Sequence, residues 1–384
     1  MYAALKRLIV NPNDAKTSGA TGCGRHPLRR FAIATLAPPL IPATSRRPAP
    51  AADDYARLKA RVQAAGLLRK QPLYYALVIS ANLGMLMLCL GGLVLVHNPW
   101  LLALDAVLLG LVSGQLGFQL HDAAHRQMFE SALVNRWVGL LTGDLLLGMS
   151  YGWWYVKHNR HHANPNDVDE DPDIQSPAIV YSREQALARR GPLRALAAYQ
   201  AFFFFPLLFL LGFSMHGSSY IHLAGREARH RKQEIVLLAL HNVLYFGFLL
   251  LVLHPWMALV VIVLHKASGG FYLASVFAPN HKGMPQTDAA HRLDFLRAQV
   301  LTARNVRASR VKDFWYGSLN YQIEHHLFPT MPRRNLRQAH RLIKIYCAEI
   351  EVPFYEASMT RSYLELLVFL HEVGRPLRRG SAAA

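Results

Sequence analysis

Cysteine is scarce in this chain, and acid is far outnumbered by base. Three cysteines, Cys23, Cys89 and Cys347, are scattered through 384 residues. No two stand at the spacing of a zinc or redox pair, so neither a disulfide framework nor a thiolate metal site is expected. Acidic residues number 24 against 42 Lys and Arg, a formal net charge of +18. Within residues 1–50 the only acid is Asp14, and the apolar core of a secretory signal is missing there. The charge has two readings. Basic loops fix the orientation of a membrane protein, and a basic face also attracts anionic lipid or an acidic electron carrier. No nucleic-acid motif accompanies the charge, so no nucleic acid partner is expected.

Histidine, in contrast, is clustered. His121 and His125 stand four apart, His158 precedes His161 and His162, and Gln322 precedes His325 and His326 in the same pattern. Residues three and four apart share a helix face. His121 and His125 can therefore reach one metal ion. The neighbours in each HH pair point about 100° apart on a helix, so each can serve a different ion. Seven imidazoles exceed the three or four ligands of a soluble zinc site and point to two metal ions. Imidazole suits iron, copper, nickel and zinc, and iron is the usual choice where oxygen is activated.

Half of the chain, 52%, is hydrophobic. Residues 73–96, 100–120, 235–253 and 257–278 form apolar runs near the ~20 residues that cross a bilayer. They pair into two hairpins whose short turns, 97–100 and 254–256, carry no Lys or Arg, while 216–234 and 292–341 are basic. The positive-inside rule puts the turns outside and the histidine-bearing segments inside, with Trp100 and Trp256 at the interface. A fifth apolar run, 195–215, conflicts with this: as a true span it would put the third cluster across the membrane from the other two. It is expected to be re-entrant, in-plane or packed against the cap, which is tolerated where protein buries it. The expected fold is an all-α integral membrane protein: four transmembrane helices in two hairpins, with a cytoplasmic helical cap holding a di-metal site.

At the clusters the chain resembles the membrane fatty acid desaturases. HNRHHANPNDVDEDPD, from His158 to Asp173, and LNYQIEHHLFPTMPRRNL, from Leu319 to Leu336, read like that family's second and third histidine boxes. The resemblance covers residues 53 to 354 and divides the chain into a basic, disordered extension (1–52), a desaturase domain (53–354) and a C-terminal helix and tail (355–384). It implies an oxygen-dependent enzyme that places a cis double bond in an acyl chain. Two irons and two electrons from a separate carrier, such as ferredoxin, cytochrome b5 or a flavin reductase, activate dioxygen. A fused haem domain is not expected, because His26-Pro27 continues as Leu28-Arg29 rather than as a haem-binding HPGG; nor is a flavin domain. The substrate would be an acyl-CoA or an acyl-lipid, and the location a bacterial cell membrane, with boxes and termini cytoplasmic.

The ligands carried over are His121, His125, His158, His161, His162, His325 and His326. Gln322 stands where some relatives have His, and ligates directly or holds a water. His281, after Phe277-Ala-Pro-Asn280 at the inner end of the fourth span, is the candidate that completes the set. Asp122, Asp169, Asp173 and Asn320, with Asp167 and Asp171, are candidates for orienting the imidazoles. His241 and His265 fall inside spans and are expected to be hydrogen-bonded packing residues. Two other readings remain. One is a di-iron hydroxylase or ketolase acting on alkanes, carotenoids or sphingoid bases. The other is a metal-binding transporter, which would bury its ligands inside the spans.

Overall fold

A computed structural model describes residues 53–225, 228 and 230–378. The expected extension, residues 1–52, lies outside the described residues. The described chain is helical apart from a two-stranded parallel ribbon and one isolated bridge. The helices, in order, are α1 (Asp54–Ala64), α2 (Pro72–Leu95), α3 (Pro99–Ala124), α4 (Ala132–Leu140), α5 (Tyr151–Ala163), α6 (Arg183–Ala188), α7 (Gly191–Ala198), α8 (Gln200–Leu208) and α9 (Leu211–Ala224). They continue as α10 (Arg231–Val252), α11 (Pro255–His281), α12 (Phe295–Leu301), α13 (Arg310–Trp315), α14 (Gln322–Leu327), α15 (Arg333–Glu349), α16 (Met359–Val373) and α17 (Arg375–Arg378). The ribbon pairs β1 (Asn305–Val306) with β2 (Glu356–Ala357).

Among the described residues four helices, α2, α3, α10 and α11, are long and apolar enough to cross a membrane. Pro at the first turn starts α2, α3 and α11, where its missing N–H costs nothing. Asn98 caps α3, its side chain accepting from the N–H groups of Trp100 and Leu101 at 2.9 and 3.3 Å. Half of the apolar window of α3 and of α11 is buried, against 17% for α2 and α10. The second helix of each hairpin therefore forms the centre, and the first faces lipid.

Small residues let the central helices touch. A Cβ on Gly110 of α3 would meet Ser268 Oγ at 1.9 Å, and one on Gly212 of α9 would meet the Lys266 carbonyl at 2.1 Å. In lipid, where apolar side chains gain little by leaving the tails, such close backbone packing holds helices together. At 26 and 27 residues, α3 and α11 run to about 40 Å, longer than the ~30 Å hydrocarbon layer. Their last turns project from it into the remaining helices, which form a cap.

The fifth apolar run is broken. Residues 195–215 run from the end of α7 through α8 into the first turn of α9, and α8 and α9 meet at a 72° bend over Phe209 and Leu210, with Pro206 inside α8. At nine and 14 residues neither half is long enough to span alone.

Candidate metal centre

Each box is fixed by a different local device. His121 and His125 end α3, whose residues from Gly114 onward are all buried. The second box lies on α5. Its N-cap is Ser150, whose hydroxyl oxygen accepts from the Trp153 N–H at 3.0 Å while the hydroxyl donates to Glu234 at 2.5 Å. The third box is α14, six residues long and wholly buried. So short a helix is not stable by itself. Asn305 clamps it: its Oδ1 accepts from the Ile323 N–H at 3.0 Å and its Nδ2 donates to Glu324 at 2.8 Å. Gly317, at φ +54, lets the chain turn into the box against the Phe118 ring, where a Cβ would sit 2.6 Å from ring carbons.

These devices bring the histidines into two adjoining groups. His121, His125, His158, His162 and His325 converge so that one ligand atom of each lies within 4.8 Å of the others. His161, His281 and His326 form the second group by the same measure. The neighbours in each HH pair do serve different groups: His161 and His162 separate, as do His325 and His326. The Nε2 atoms of His121 and His325 are 3.0 Å apart, those of His158 and His162 are 3.0 Å apart, and those of His162 and His325 are 3.1 Å apart. Two imidazole nitrogens bound at right angles to one ion, each at about 2.1 Å, stand about 3.0 Å apart. His125 Nε2 and His326 Nε2 are buried without a partner. Burial first, and neighbouring imidazoles second, push the pKa values of His125, His158, His162, His325 and His326 well below the usual histidine value. The rings are therefore neutral, the form that ligates metal. A donor set of eight imidazoles with few thiols or carboxylates fits iron among the imidazole-binding metals.

Gln322 joins the second group. Its Nε2 is 2.9 Å from His281 Nε2, and its Oε1 accepts from Asn280 at 2.9 Å.

The orienting residues differ in part from those expected. Asp122 contacts His121 Nδ1 at 3.1 Å and is itself held by Arg333 at 3.2 Å. Asp171 accepts from His161 Nδ1 at 3.0 Å on both oxygens. Asp173 lies 3.6 Å from the same nitrogen. Burial opposes its ionisation, but Lys157 and His161 hold its carboxyl below the usual range. Asp169 is exposed on the turn after box two, and its N–H donates to Asp167. Asn320 is also displaced from the expected role: its side chain donates to Asp313 at 2.9 Å, and it fastens the approach to box three. Gln299 was not singled out by sequence. It accepts from His326 Nδ1 at 2.9 Å and donates to the His162 carbonyl at 3.2 Å, so it touches both groups. The Thr302 carbonyl accepts from His281 Nδ1 at 3.3 Å. His241 and His265 are bonded within the spans, His241 to the Leu145 carbonyl and His265 to Ser113 and Tyr245.

A cavity of about 410 Å³ borders both groups. His158, His161, His281 and Gln322 are in its lining, together with Phe204, Leu207, Leu211, Met215, Leu273 and Phe277. Trp154, also in the lining, stacks on His158 with ring centroids 4.2 Å apart.

Comparison with known proteins agrees with this geometry. Residues 98–358 match the family described as fatty acid desaturase. The chain is 32% identical over 319 residues to a Delta(8)-fatty-acid desaturase of Euglena gracilis, covering 79% of this chain and 74% of that one. It is 30% identical over 329 residues to an Acyl-lipid (9-3)-desaturase of Physcomitrium patens, covering 83% of this chain and 62% of that one. It is 29% identical over 318 residues to the Delta(6)-fatty-acid desaturase fat-3 of Caenorhabditis elegans, covering 79% and 70%. The chain belongs to the fatty acid desaturase family. That membership makes it an oxidoreductase, set in a membrane by four apolar helices.

Proposed function

We propose that this protein is an oxygen-dependent fatty acyl desaturase whose two groups of histidines hold two irons. The observation that carries this is the pair of imidazole groups that both contribute to the lining of one mostly apolar cavity. His121, His125, His158, His162 and His325 would hold one ion, and His161, His281 and His326 the other, with Gln322 beside it. When bound, the irons supply the oxidising power by which two hydrogens leave adjacent methylenes. Those two hydrogens, together with two protons and two electrons from a separate carrier, would reduce dioxygen to two waters. Either an acyl-CoA or an acyl-lipid can present such a chain.

The protein's own share is positioning and exclusion of water. Asp122, Asp171, Gln299 and the Thr302 carbonyl occupy the second nitrogen of four imidazoles, which leaves each remaining nitrogen aimed at the centre. The apolar lining holds a methylene pair against the histidines. Charge asymmetry supports a cytoplasmic cap and cytoplasmic termini. The relatives named above are eukaryotic, so they lend no support to a bacterial cell membrane. The hydroxylase and ketolase readings share the histidines but not the relatives' printed activities. Metal analysis of the purified protein tests the centre. Two irons per chain are expected in the parent, with loss in His161→Ala and His325→Ala. Zinc in a protein that acts without oxygen or reductant would overturn the reading.

A further inference from the structure

Behind the main cavity lies a second, of about 40 Å³. Met215 and Leu273 line both. Position along α11 orders them. His281, Ala278 and Leu273 face the larger cavity, whereas Leu273, Gly269 and Lys266 face the smaller. The eight-residue steps from 281 to 273 and from 273 to 265 are each about 12 Å of helix. The small pocket is therefore one storey deeper in the membrane, and Met215 with Leu273 is the partition.

The far pocket is lined mostly by apolar atoms, and the polar side chains beside it are already paired. Lys266 Nζ is 2.8 Å from His216 Nε2, and His265 bonds Ser113 at 2.7 Å. Its 40 Å³ has room for water, which needs about 10–15 Å³ and several polar partners. A methyl group entering it would leave those bonds in place. The barrier is thus steric, at Met215 and Leu273, which line both cavities.

We propose that Met215 and Leu273 are the end stop for the methyl end of the acyl chain, and that they set its length. The inference rests on the desaturase reading. Its test uses the full-length protein, expressed in a host with a compatible reductase and fed saturated acids of graded chain length; double bonds in the lipids are located by mass spectrometry. The parent should show a sharp upper limit, with conversion falling about tenfold or more for each further methylene, the discrimination a filled pocket gives. Met215→Ala should move that limit up by roughly two carbons, given space for two or three water-sized groups beyond. Met215→Trp should move it down, and Leu273→Ala provides a second opening should either fail to insert. A gradual decline in the parent, or a limit unmoved in variants that still make double bonds, overturns the end stop alone. No double bond at any length in the parent removes the desaturase reading and the end stop with it.

Discussion

The Gln322 amide nitrogen lies 2.9 Å from His281 Nε2, while the other His281 nitrogen faces the Thr302 carbonyl at 3.3 Å. The ring is thus held with its proton on Nδ1 and its Nε2 lone pair accepting from Gln322, within 4.8 Å of ligand nitrogens of His161 and His326. The first prediction follows from that lone pair. His281→Ala should lose about half of the iron and essentially all of the activity while still inserting. His291→Ala should lose neither, since His291 is exposed and bonds only Asp288 among the described residues. Full iron occupancy in His281→Ala would remove His281 from the ligand set.

A second prediction separates neighbouring acids. Asp171→Asn removes the carboxylate that orients His161 and should weaken metal retention by about 10–100-fold, as losses of such partners do. Asp169→Asn, on the exposed turn, should behave as the parent. Competition against a graded chelator reads both, and equal losses in the two would contradict the assignment.

The boxes were legible because their spacing is local: i, i+3 and i, i+4 geometry survives whatever surrounds it. The two hairpins were legible because twenty apolar residues admit few other structures. Asn305 and Gln299 were not, since nothing local marks an Asn or Gln that reaches across the cap. The displacement of Asn320 shows the same limit: it is adjacent to box three in sequence but turns to Asp313. Of the acids after box two, only tertiary packing decides that Asp171 faces His161 while Asp169 faces solvent.

Stability should fall as pH rises through neutrality, because of a buried acid. Asp144 accepts from the Tyr151 N–H at 3.2 Å, and each of Asp144 and Glu234 has one buried oxygen without a partner. Burial, and then the nearby Glu234 carboxylate, push the Asp144 carboxyl up to about 9. The native state then binds more protons than the unfolded one between roughly pH 4 and that value, so each pH unit costs up to about 1.4 kcal/mol. Thermal unfolding in detergent from pH 5 to pH 9 should show the decline, and Asp144→Asn should flatten it. An unchanged slope in the variant would assign the decline to other groups.

A further stability prediction concerns Arg304, fully buried and paired with Glu365 on α16 and with the Lys282 carbonyl. Removing one partner of a buried pair strands the other, at a cost of about 3–5 kcal/mol. Glu365→Ala should therefore lower the melting temperature by several degrees. Joint replacement by Arg304→Leu and Glu365→Leu should recover part of the loss. A double variant no more stable than Glu365→Ala would show that the pair is not the cause.

Topology is tested by single cysteines at His97 and Gln233, both exposed, in a background without Cys23, Cys89 and Cys347. An impermeant reagent on intact cells should modify the first only. Labelling of the second would make α8 and α9 a true crossing.

The central claim is that these histidines direct the removal of hydrogen from an acyl chain. Its most direct test is product mass in a host that expresses the chain under oxygen, beside His325→Ala. The account predicts lipids lighter by two hydrogens, with one new double bond, absent from the variant. Lipids heavier by one oxygen, with no new double bond, would contradict it and establish a hydroxylase.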